Sequence, residues 1–188
     1  MTPFEYVSVL ISLILGLGIA VILTGLARII KRWESVVPYG PFFVWIVLVF
    51  VLHIQEWWDT YQLMNWSTWS LTIFLFVILY PILLFILANL LFPVKWKVPL
   101  DLKAYYFSIC PKFFFFTICL TLTALLQNVF LLDYTLWEQP VQLGVIVLFS
   151  ILLIVRTEKS WVHYAIALGL LLILIGNLIF SPQQLVAP

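Results

Sequence analysis

Charge is what this chain has least of. Only 9% of its 188 residues are Asp, Glu, Lys or Arg, whereas soluble domains carry about 25%, so a water-soluble globule is excluded. Cysteine is scarce as well. Cys110 and Cys119 form neither a disulfide framework nor a metal quartet, and both are read as packing residues. Histidine is limited to His53 and His163. Polar sequence between the apolar runs is too short to fold as a separate catalytic or ligand-binding domain. There is no G-x-S-x-G elbow, no H-E-x-x-H and no phosphate loop. The Gly16-Leu17-Gly18 pair lies inside an apolar run, where a nucleotide fingerprint has no place.

What is present in excess is apolar length. A spanning helix needs about 20 residues, and six such segments run over roughly 4–30, 41–63, 68–92, 112–132, 140–155 and 161–180. The expected fold is an all-α polytopic membrane helix bundle of six transmembrane helices in one domain, 1–188, with short joints and antiparallel neighbours. The fifth segment is the shortest. The first has no basic region before it and is too long for a cleaved signal, so it is expected to stay as a span. Residues 99–109 mix Asp101 and Lys103 with aromatics and predict a short interfacial helix between the third and fourth spans, broken by Pro111. Pro81, mid-span in the third, is expected to kink that helix and free a carbonyl.

Basic residues near span ends stay on the cytoplasmic side. Arg28, Lys31 and Arg32 follow the first span, Lys95, Lys97, Lys103 and Lys112 lie between the third and fourth, and Arg156 and Lys159 follow the fifth. All nine fall on one face, so both termini are expected outside the cytoplasm. Glu5, Glu56, Asp59, Asp133 and Glu138 fall towards the other face, with no Lys or Arg among them. Trp57, Trp58, Trp66, Trp69 and Trp137 are expected at the outer boundary and Trp33, Trp45, Trp96 and Trp161 at the inner. The basic loops form no dense patch, so nucleic-acid binding is not expected.

Two patterns invite function. In the first span a small residue recurs at every fourth position, Ser8, Ser12, Gly16, Ala20 and Thr24, a stripe that lets another backbone approach and pack. The second carries His53, Gln55, Glu56 and Asp59 within seven residues. His53 lies about 18 Å from the cytoplasmic end of its helix and Glu56 about 4 to 5 Å beyond. Their i, i+3 spacings place His53, Glu56 and Asp59 along one face, expected to share a proton. A carboxylate in lipid costs about 2.5 to 3.5 kcal/mol on insertion scales, so it faces protein or water. Glu5, Ser8, Ser12, Gln127, Asn128 and Asn177 sit at comparable depth in other spans. Together they predict a polar, acidic cavity opening outward, although Gln127, Asn128 and Asn177 are read first as interhelical hydrogen-bond partners. His163, beside Trp161 and Tyr164, reads as interfacial. It lies about 14 Å along the normal from His53, so the two cannot share a haem. No metal site or cofactor is expected.

Phe4-Glu5-Tyr6 with Ser8 and Ser12, Gly16-Leu17-Gly18, Gly25 and Arg28, His53-Ile54-Gln55-Glu56-Trp57-Trp58, Leu91-Phe92-Pro93 and Asp101-Leu102-Lys103 before Tyr105 and Tyr106 together resemble a group of short bacterial six-helix inner-membrane proteins. The likeness spans about two thirds of the chain. It implies a bacterial source and a multi-pass inner-membrane location, and no activity.

The leading expectation is a homo-oligomeric channel or small transporter for protons or cations. Glu56 is its ion site, His53 the partner, Asp59 and Glu5 the acidic vestibule on the periplasmic side. An accessory or scaffold subunit of a larger membrane complex is the alternative. A membrane-embedded lipid or quinone enzyme comes third, since no nucleophile stands beside His53 and Glu56.

Overall fold

The computed structural model describes residues 2–66, 68–96 and 98–180. Its six helices start where local chemistry allows. α1 (Pro3–Lys31) is opened by a capping box: the Glu5 N–H donates to Thr2 Oγ1 at 3.2 Å, the Thr2 N–H donates to Glu5 Oε2 at 2.9 Å, and Pro3 occupies the first turn. Prolines likewise open α2 (Gly40–Asp59) and α5 (Pro140–Val155). Ser70 caps α3 (Leu71–Leu90), and Asp101 caps α4 (Leu102–Leu131) through the Lys103 and Ala104 amides. The last helix, α6, covers Ser160–Phe180.

Five of these helices are long and apolar enough to cross a membrane. The exception is α5, whose 16 residues reach about 24 Å against a hydrocarbon core of about 30 Å.

The joints identify two ends. Val36–Val37 (β1) after α1 pairs in parallel with Leu100–Asp101 (β2) before α4, so the α1–α2 and α3–α4 joints meet. The α5–α6 joint joins them through His163, which bonds both Tyr106 and Thr157. Arg28, Lys31, Arg32, Lys95, Lys103, Arg156 and Lys159 therefore gather at one basic end; Lys97 lies outside the described residues. Trp33 and Trp161 are exposed at this end, and Trp57 and Trp137 at the opposite, polar end. Trp45 departs from the expected belt: it is buried inside the bundle.

Helix α2 is the hub, packed on α1, α3, α4 and α6. No separate interfacial helix precedes the fourth span, because α4 continues straight through Pro111. Leu102, Tyr106, Cys110 and Phe114 recur every four residues and are all buried. The apolar face expected to lie on the membrane is thus spent on the bundle, and that packing carries the helix past a proline costing about 3 kcal/mol.

Within the chain, the first helix packs on a face other than its small-residue stripe. Its buried face is Val7, Ile11, Leu15, Gly18, Ile22, Gly25 and Ile29, while Ser12, Gly16, Ala20 and Thr24 are exposed and Ser8 half-buried. A side chain on Gly16 would meet nothing, whereas a Cβ on Gly18 would overlap the His53 imidazole and one on Gly25 the Phe92 ring. Within the chain, close approach belongs to the glycine pair seven residues apart, and the stripe of Gly16, Ala20 and Thr24 faces away. Replacing Gly18 by Val is therefore expected to destabilise the protein by about 1 to 3 kcal/mol, and Gly16→Val to leave it unchanged, as thermal unfolding in detergent would measure. Equal losses would remove the role given to Gly18.

Candidate functional site

Two adjoining cavities, about 190 and 230 Å³, occupy the polar half of the bundle and share Gln55, Glu56, Asp59, Tyr80, Ala124 and Gln142. The first adds Thr60, Gln62, Gln127 and Asn128. The second reaches along α4 past Thr121 and Thr117, takes Asn177 from α6, and ends on Trp45, Leu48 and Leu120. Neither is lined by Lys or Arg. Two carboxylates, Glu56 and Asp59, therefore meet a hollow whose other polar walls are amides, hydroxyls and a phenol. One acceptor is conspicuous: Gln55 Oε1 is buried with no hydrogen-bond partner among the described residues.

Helix geometry brings Glu56 and Asp59 together, since i, i+3 residues are neighbours along α2. His53 stands one further step of three residues back; each step turns the position by about 60°, so His53 and Asp59 lie about 120° apart around α2, and His53 falls to a different neighbour. His53 is fully buried against Gly18 of α1, lines neither cavity, and donates from Nδ1 to the Val49 carbonyl at 2.7 Å. The expected pairing of His53 with Glu56 is thus corrected. Its Nε2 is buried without a hydrogen-bond partner among the described residues.

Three other expectations are relocated. Glu5 is the cap of α1 rather than a wall of the vestibule. Ser8 donates to the Glu5 carbonyl at 3.1 Å. Neither it nor Ser12 lines the cavities. Glu138, in the α4–α5 joint, is likewise occupied. Its carboxylate accepts from the Thr135 amide and hydroxyl at 2.7 and 2.8 Å, which holds it below the usual carboxylate range. The T-x-x-E pattern at Thr2 and Thr135 is a capping signature legible in the sequence, and it marks both acids as structural.

Gln127 and Asn128 have two duties. Pro81 has no N–H to offer the Val77 carbonyl, and Gln127 Nε2 supplies it, donating to Phe76 O at 2.7 Å and Val77 O at 3.3 Å. The carbonyl expected to be freed by Pro81 is thereby satisfied from α4. Asn128 Nδ2 donates to Gln139 Oε1 at 2.9 Å and holds the start of α5 to α4. Tyr80 and Gln142 were missed by sequence reasoning. A lone tyrosine among apolar residues reads as filler, and a glutamine in the first turn of α5 reads as a helix end.

Towards the basic end the hollow is closed. Trp45 packs on Phe113 and Phe149, with ring centroids 5.1 and 5.9 Å apart, and Phe114 lies over Phe149 at 4.9 Å. Below this layer runs a directional chain of hydrogen bonds. His163 Nε2 lies 2.9 Å from the Thr157 carbonyl, which can only accept, so Nε2 carries the proton and Nδ1 accepts from Tyr106 Oη at 2.9 Å. Tyr106 Oη in turn accepts from Trp45 Nε1 at 3.1 Å. His163, expected at the interface, is instead 2% exposed and ties α2, α4 and α6 together.

Among the described residues no three of His, Cys, Asp and Glu come together as a metal site. No protein-family model, curated protein or solved structure matches this chain.

Removing the α4 donor tests the α3–α4 clamp. Gln127→Leu is expected to cost roughly 0.5 to 1.5 kcal/mol by unfolding in mixed micelles. In a Pro81→Ala background the new alanine N–H meets Val77 O, and the cost shrinks. Equal costs in both backgrounds would mean that Gln127 does not serve the carbonyls freed by the proline.

Proposed function

We propose that the protein is a small transporter of protons or small cations in the bacterial inner membrane, loading from its polar end. The observation carrying this reading is the hollow bounded by Glu56 and Asp59 with no cationic side chain in its walls. A hollow lined by two carboxylates attracts cations, and Gln55 Oε1, buried with no hydrogen-bond partner among the described residues, adds a neutral acceptor beside them. Glu56 is assigned the ion or proton, with Asp59 as its companion. His53, turned to α1, takes no part. The hollow lies inside one chain, which favours a transporter over a pore formed between subunits. The aromatic layer of Trp45, Phe113 and Phe149 is assigned the role of the inner barrier.

The excess of Lys and Arg in its joints supports a cytoplasmic basic end, and on this reading both termini and the cavity face the periplasm. α5 is counted as a sixth span, its short reach met by local thinning of the bilayer or by its neighbours. A second reading, as an accessory subunit gripped by another membrane protein, draws on the exposed stripe of Ser12, Gly16, Ala20 and Thr24. Mass measurement after gentle extraction separates the two: foreign subunits in fixed ratio favour the second.

Proton and monovalent-cation flux into liposomes tests the proposal directly. Glu56→Gln is expected to reduce flux at least tenfold and Asp59→Asn less, while both variants keep the wild-type elution profile. Flux no greater than in empty liposomes, or equal flux from wild type and Glu56→Gln, would overturn it.

A further inference from the structure

A second hollow lies on the outer surface near the basic end, far from the carboxylates. It is a groove of about 820 Å³ between α1 and α3, walled by Leu17, Val21, Phe85 and Ile86. Its depth comes from small residues of α1, Ala20, Thr24 and Gly25, and Arg28 stands at its basic end. Beyond Arg28 the groove adjoins a cavity of about 570 Å³ with which it shares Asn89, Phe92 and Val94, and which Lys95 lines. Arg28 is exposed and has no carboxylate partner among the described residues. The one acid lining either, Asp101, belongs to the second cavity and spends Oδ1 on the Lys103 and Ala104 amides.

We propose that this groove is a binding site for an anionic phospholipid, with an acyl chain laid along Leu17, Val21, Phe85 and Ile86 and the phosphate held by Arg28 and Lys95. The apolar walls suit a hydrocarbon chain. Of the charged residues lining the groove and the cavity beyond it, Arg28 and Lys95 are positive and Asp101 alone is negative, an excess that suits an anionic headgroup, and basic pockets between spanning helices are a recurrent setting for such lipids. A second copy of the chain is the poorer occupant. Two copies related by an axis normal to the membrane would bring two Arg28 side chains to the same depth across the contact, where like charges repel. The site is independent of the transport reading, since it shares no residue with the carboxylate cavities.

The test uses the full chain in detergent micelles, with phosphatidylglycerol and phosphatidylcholine of identical acyl chains added in turn and bound lipid counted by native mass spectrometry. Wild type is expected to retain phosphatidylglycerol over phosphatidylcholine by about fivefold for each basic residue engaged. Arg28→Gln with Lys95→Gln is expected to bring the ratio close to one, and both positions are surface residues whose replacement leaves the core intact. Thr24→Phe fills the groove and is expected to lower retention of both lipids together. Equal retention of the two lipids by wild type would overturn the proposal, as would an unchanged preference in the double variant. So would crosslinking of Thr24→Cys between two copies, which would give the groove to a second chain.

Discussion

The polar half of this bundle depends on a missing hydrogen. Pro81 sits in the middle of α3 with no N–H, and in lipid an unserved carbonyl costs several kcal/mol because no water can take its place. Gln127 reaches across from α4 to serve Phe76 O and Val77 O, and this fixes α4 against α3 at the depth where both line the first cavity. Asn128, the next residue, fixes α5 through Gln139. The neighbouring hollow is bounded by the helices these bonds position. Were residue 81 one with an N–H, Gln127 would have no freed carbonyl to seek, and the spacing of α3 from α4 would be set by apolar packing alone.

The basic half is held by a different device. There the chain from Trp45 through Tyr106 and His163 to the Thr157 carbonyl satisfies each buried donor in one direction. A completed chain of this kind specifies a single arrangement, because a shift of any member strands its neighbours. Ring packing of Trp45 and Phe114 on Phe149 excludes water from the same layer. One half of the molecule is thus acidic and hollow between its helices, the other tied by rings and a completed hydrogen-bond chain. The indole of Trp45 serves both, its face bounding the second cavity and its N–H anchored below.

Helix number and approximate position were legible in the sequence because apolar length and flanking charge are strong, local signals. α5 was read with its observed bounds, 140–155, and the gathering of basic joints at one end followed from their alternation between spans. What was not legible was rotation about each axis. The small-residue stripe of α1 and its buried face differ only by a turn of the helix, and nothing local distinguishes Gly16 from Gly18. Only His53, thirty-five residues away, decides which glycine is pressed. His53 and Glu56 were likewise placed together because spacing along α2 is local, whereas the four neighbours that assign them to different sides are not. Pro111 misled for the related reason that a helix-breaking residue was weighed without the buried stripe of Tyr106, Cys110 and Phe114 that carries α4 through it.

Satisfaction of polar groups offers a way to sort glue from chemistry here. Gln127, Asn128, Glu5, Glu138 and His163 all have partners that account for their presence. Structural stability supplies a complete reason for each of them. Gln55 differs, since its carbonyl oxygen is withdrawn from solvent and meets no donor, at a cost a buried acceptor does not normally bear. That oxygen belongs to a residue lining the same hollow as Glu56 and Asp59, whose described walls carry no Lys or Arg. A buried acceptor without a donor, set beside two carboxylates, is what a site looks like when the positive charge arrives from outside. Packing alone would have favoured a leucine at each of these positions, and the bilayer would have favoured it further.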